Sequence, residues 1–190
     1  MCRLASCRQP PRFVPSTGEL DECLRLAKLQ QCPHCKCCGT LIGHGFLRGY
    51  AEHGSERVIR GRRLFCSDRF LQRGCGRTVA VLLDCVLRAF TVRTRTLFEF
   101  ANAVVAGDSR RAAWQRIASG LSLSSGYRLW QRLLGAQSYL RTQLLSLCVP
   151  PPSPAPLPLA QLLDHFVAAL SPSSCPFSAF QSRLQRFLLP

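Results

Sequence analysis

The chain has 190 residues, a net charge of +15 and 47% apolar residues. That is enough for one ordinary domain or two small ones with a real core. No stretch reaches the about 18 apolar residues of a membrane span, and "MCRLASCRQPPRFVP" lacks the apolar run of a secretory signal. Cations are almost all arginine, against two lysines, Lys28 and Lys36. Arginine forks onto phosphate with two parallel hydrogen bonds, so the balance points to polyanions, nucleic acid first. Twelve cysteines without a secretory signal imply a cytoplasmic, reducing location, where clustered thiols hold metal more often than they form bridges.

In chain order, residues 1–30 read as an arm with one short helix. Leu20, Cys23, Leu24 and Ala27 form its apolar stripe, and Glu19, Asp21 and Glu22 suit its start.

Residues 31–83 are punctuated by glycine and read as strands near 41–50, 56–66 and 76–83. They are opened by "QCPHCKCCGT" and closed by "FCSDRFLQRGCGRT". A structural zinc takes four soft ligands, delivered as two pairs from two turns. Cys32 and Cys35 form the first pair. Cys66 and Cys75 form the second, with eight residues between them where a standard ribbon has two. Cys37 and Cys38 are alternatives within the first cluster, with His34 or His44 as outside candidates. The intervening residues make the hairpin that brings the second turn back to the first. One structural Zn2+ with every position protein-filled is expected. A redox use of Cys32-Pro-His-Cys35 is disfavoured, because the motif leads into glycine-rich strand and not a βαβ unit.

Positive charge concentrates in the same ribbon, at Arg57, Arg60, Arg62, Arg63, Arg69, Arg73 and Arg77, opposed by Asp68. These are candidate phosphate contacts.

Residues 84–148 turn helical. Thr96-Leu-Phe-Glu99 reads as a capping box opening a helix that runs to about Ala106 and stops at Gly107. Asp108 or Ser109 caps a second helix, which ends at Gly120. A third, "SGYRLWQRLL", ends at Gly135, and "AQSYLRTQLLSL" makes a fourth. The second and third form a candidate helix-turn-helix. On the third, Leu129 and Leu133 face inward. Ser124, Ser125, Tyr127, Arg128, Gln131 and Arg132 form a polar side suited to phosphates and base edges. Trp114 and Trp130 read as core residues. Arg116 and Gly126 depart from the small and β-branched residues such a motif prefers.

Residues 149–158, "VPPPSPAPLP", form a stiff polyproline linker. The tail 159–190 is amphipathic, and Leu184, Phe187, Leu188 and Leu189 are expected to dock on its own core or on another chain. The fold class is therefore α+β: an N-terminal zinc ribbon of short antiparallel strands, a helix-turn-helix bundle and a proline-linked helical tail.

The ordered motifs "CPHC…GTLIGHGFLRGY…RGRRLFCSDR…GCGRT", followed by a helix-turn-helix, resemble zinc-ribbon helix-turn-helix proteins associated with bacterial transposons and insertion elements. The resemblance covers about residues 31–135. It implies a ribbon built by Cys32, Cys35, Cys66 and Cys75, duplex DNA as partner, a bacterial, nucleoid-associated setting, and an accessory or regulatory role beside a transposase or recombinase. The ten acidic residues are scattered among caps and turns, and no catalytic carboxylate or nucleophile constellation is found, so a non-enzyme is expected. A protein-interaction adaptor scaffolded by zinc is the alternative, and RNA is a further possible target.

Overall fold

The computed structural model describes residues 8–68 and 73–190. Among them the fold is α+β, with a four-stranded mixed sheet and six α-helices. The chain divides into two compact units. The first comprises residues 1–49 and 57–84, the second residues 50–56 and 85–190. No helix among the described residues is long and apolar enough to cross a membrane.

The first unit begins with β1 (Phe13–Val14) and α1 (Thr17–Arg25), which precede β2 (Leu41–Tyr50), β3 (Arg57–Cys66) and β4 (Thr78–Leu83). The sheet order is β1-β4-β3-β2. β3 and β4 run antiparallel, from Gly61 opposite Leu82 to Phe65 opposite Thr78. β1 is parallel to β4, with Phe13 opposite Leu82 and Val14 opposite Leu83. The expected arm is thus built into the sheet. Ser16 caps α1 by accepting the Glu19 N–H at 3.2 Å. The stripe of Leu20, Cys23 and the following Ala27 is buried with Val14, Cys32, Leu41, Leu64, Cys66 and Val81. Two of the four paired cysteines are therefore also core residues.

The second unit holds α2 (Thr94–Val105), α3 (Arg110–Ile117), α4 (Leu123–Leu145), α5 (Pro158–Leu170) and α6 (Pro176–Leu184). Its core centres on Phe100, whose ring meets Trp114 and Trp130 edge-on at 5.0 and 5.7 Å between centroids. Both tryptophans are core residues.

Two expectations are corrected here. The capping box does not form. α2 starts three residues earlier, with Arg93 as its cap residue and no side-chain cap bond. Thr94 and Thr96 are buried, and Glu99 turns outward to pair with Arg95 at 3.0 Å. The Arg93 N–H donates instead to Glu52 Oε1 at 2.9 Å, a carboxylate far away in sequence serving the orphan donor at the helix start.

The third and fourth helices are one. α4 runs through Gly135 for 23 residues, because the buried stripe Leu129, Leu133, Ala136, Leu140 and Leu144 continues without interruption.

The tail docks on the protein's own core, one of the two alternatives expected for it. α5 packs on α4 and α2, and α6 packs on α5 and α2. Leu188 and Leu189 are buried in the same core, and the Tyr139 hydroxyl donates to the Phe187 carbonyl at 3.1 Å. Ser109 does cap α3, accepting the Ala112 N–H at 3.2 Å.

Candidate metal centre

Two turns of the first unit meet. In the first, the Lys36 N–H donates to the Cys32 carbonyl and the Cys32 N–H to the Cys37 carbonyl, both at 2.9 Å. Lys36 takes a positive φ of 63°, which reverses the chain between Cys35 and Cys37. The second turn joins β3 to β4. The chain leaves β3 at Cys66 and returns at Cys75, so the long spacing is a loop between strands and not one tight knuckle. Gly74 makes that return possible, since a Cβ there would lie 2.3 Å from the Ser67 carbonyl oxygen. The Gly76 N–H then donates to the Cys66 carbonyl at 3.0 Å.

The sulfurs of Cys32, Cys35, Cys66 and Cys75 all lie within 4.8 Å of one another. Cys32 and Cys75 are 3.8 Å apart, and Cys35 and Cys66 are 3.6 Å apart. These distances are far from the about 2.05 Å of a disulfide. A metal–sulfur length of about 2.3 Å in a tetrahedron gives sulfur–sulfur edges of about 3.8 Å. The four thiols thus fit a single tetrahedral ion.

The donors around the sulfurs fit thiolates. The Cys75 N–H points at Cys66 Sγ from 3.3 Å, while Thr40 Oγ1 accepts from the Cys66 thiol at 3.1 Å. The Cys37 N–H donates to the Cys35 sulfur and holds that thiol down at about 6, ahead of opposing desolvation. Burial pushes the Cys32 thiol up to about 12, against backbone N–H bonds from Cys35 and His34. Cys32 and Cys66 are fully buried, while Cys35 and Cys75 lie toward solvent. Cys37 turns its thiol to the Cys35 carbonyl at 3.7 Å. His34 is exposed, and His44 stacks on Phe65 at 5.3 Å between ring centroids.

The arginines of the first unit are not equivalent. Arg62 is only partly open: it pairs with Asp21 at 2.8 Å and lies 3.4 Å over the Phe46 ring. Arg60 is half-buried, its side chain lying against Gly49. Arg57, Arg63, Arg73 and Arg77 are exposed, and Arg69 lies outside the described residues.

In the second unit, residues 118–122 join α3 to α4. The Trp114 indole N–H donates to the Ser122 carbonyl at 3.1 Å and ties the turn to α3. Gly126 lets α4 approach. A Cβ at this position would sit 2.5 Å from Trp114 Cδ2, so the absent β-branched residue reflects contact with a large indole. Leu129 and Leu133 are buried, while Ser124, Tyr127, Arg128, Gln131 and Arg132 are exposed. Ser125 is half-buried, sharing a hydroxyl contact of 2.9 Å with Ser122. Beside this face opens a cleft of about 410 Å³, lined by Ser109, Arg110, Arg111, Tyr127 and Trp130. Arg110 lies 5.4 Å from the Tyr127 ring centre, and Asp108 is taken up by Arg116. The sequence reading missed Arg110 and Arg111 at this face, although the Ser109 cap immediately before them places both in the first turn of α3.

No family model, curated protein or solved structure matches the chain.

Proposed function

We propose that the protein binds duplex DNA and that one structural zinc ion, held by Cys32, Cys35, Cys66 and Cys75, organises its first unit. An all-sulfur tetrahedral set suits zinc, and the four protein ligands leave no open position for a water. The ion's role is then folding and not chemistry.

The observation that carries DNA binding is the outer side of α4. Its opening turns present Ser124, Tyr127, Arg128, Gln131 and Arg132 to solvent, while Trp114 and Gly126 fix their backbone against α3. A short helix, a tight turn and a second helix with polar, cationic residues near its start is the arrangement that enters a major groove. Arg110, Arg111 and the exposed ribbon arginines add sequence-independent phosphate affinity. An accessory or regulatory role beside a transposase rests on the motif order described above. The adaptor reading loses its main support, since the apolar faces of α5 and α6 are spent on the protein's own core.

Selection from a random duplex pool, followed by anisotropy titrations, tests this reading. If about six phosphates are engaged, affinity falls about a thousandfold or more between 50 and 200 mM salt. Arg128→Ala narrows the gap between selected and random DNA, whereas Arg63→Ala weakens both alike. Salt-independent affinity, or tighter binding of single-stranded RNA than of duplex DNA, contradicts it.

A further inference from the structure

Four sulfurs complete a tetrahedron, yet the first turn carries a further thiol against the cluster. Cys37 is half-buried, two residues beyond Cys35, and its thiol turns back to the Cys35 carbonyl at 3.7 Å. The backbone fixes this placement. Lys36 reverses the chain between the two cysteines, the Cys32 N–H holds the Cys37 carbonyl, and the Gln31 amide donates to the Lys36 carbonyl at 2.8 Å. Cys35 itself lies toward solvent, unlike Cys32 and Cys66. One ligand of the centre is thus reachable from outside and has a non-ligand thiol beside it.

We propose that Cys37 is a resolving thiol that makes the metal centre oxidisable by hydroperoxides. The Cys35 thiolate attacks the peroxide O–O bond, giving a sulfenic acid and releasing hydroxide or alkoxide. The Cys37 thiol then attacks the sulfenic sulfur, a Cys35–Cys37 disulfide forms, and water leaves with the thiol proton. The two sulfurs give up two electrons and the peroxide takes them. The ion keeps three ligands and escapes to any competing chelator, and a dithiol reductant plus zinc restores the centre. This rests on the metal reading above.

The test uses the full-length, zinc-loaded protein, hydrogen peroxide and a metallochromic dye, with disulfides mapped by mass spectrometry. Metal content before oxidant is measured separately, so a protein that carries no metal counts against the metal reading alone, while mapping still reports on Cys37. Expected is zinc release together with a Cys35–Cys37 bridge, reversed by dithiothreitol. In Cys37→Ser, release slows several-fold and a dimedone-reactive sulfenic acid accumulates at Cys35. Equal release from the variant, or a wild-type bridge mapping to Cys32–Cys75 or Cys35–Cys66, overturns the proposal. If the variant fails to hold metal, the wild-type map alone decides.

Discussion

Gly126 and Trp114 set the geometry on which the α4 face depends. Trp114 is 1% exposed and its indole N–H is committed to the Ser122 carbonyl, so the ring has nowhere to retreat. Gly126→Ala would place a methyl inside its contact distance. The expected cost is about 1–3 kcal/mol, as for other overpacked sites, read by urea denaturation. A variant as stable as the wild type would contradict the close approach. At this scale the sequence was readable wherever chemistry is local. Cys32-Pro-His-Cys35 and the glycines around Cys75 identified thiols that do converge. The state of Arg62 was not readable, because its partners Asp21 and Phe46 come from other elements. An arginine cluster looks uniform in sequence and becomes a mixture of structural and solvent-facing cations only when the strands pair.

Elements defined by periodicity emerged close to where the residues place them. β2 spans 41–50 as read, and β3 and β4 start one and two residues later than read. Errors arose where a local signal met a stronger tertiary one. Thr96 and Glu99 have capping-box spacing, but Thr94 and Thr96 are drawn into the core and Glu52 supplies the missing acceptor. Gly135 reads as a helix stop, but a buried leucine stripe carries α4 past it. β1 is two residues long and was invisible to any pattern. The continuity of α4 has a direct consequence. A Cβ at Gly135 meets nothing within 4 Å and the residue is exposed, so Gly135→Ala should stabilise the protein by about 0.5–1 kcal/mol. Thermal or urea melts check this, and destabilisation would mean that the helix is broken there.

For the whole molecule, the two units differ in what holds them. The core cluster of the helical unit contains 25 buried residues among those described, and that of the sheet unit contains nine, of which Cys32 and Cys66 are two. On the metal reading proposed above, a core that small, sharing residues with the centre, is expected to depend on the ion, and the helical unit is not. Net charge of +15 spread over both units gives long-range attraction to polyanions without defining a site. Which surfaces matter was only partly legible, since a charged stretch carries no record of its neighbours, and the amphipathic tail could not disclose that its apolar side is satisfied internally.

Metal analysis of the purified chain, beside Cys66→Ser and with the fold followed by circular dichroism during chelation, tests the central claim most directly. One zinc per chain is predicted, with little in the variant, and chelator should remove the sheet signal while the helices persist. A wild-type chain that is folded throughout and carries no tetrahedral metal would contradict the account.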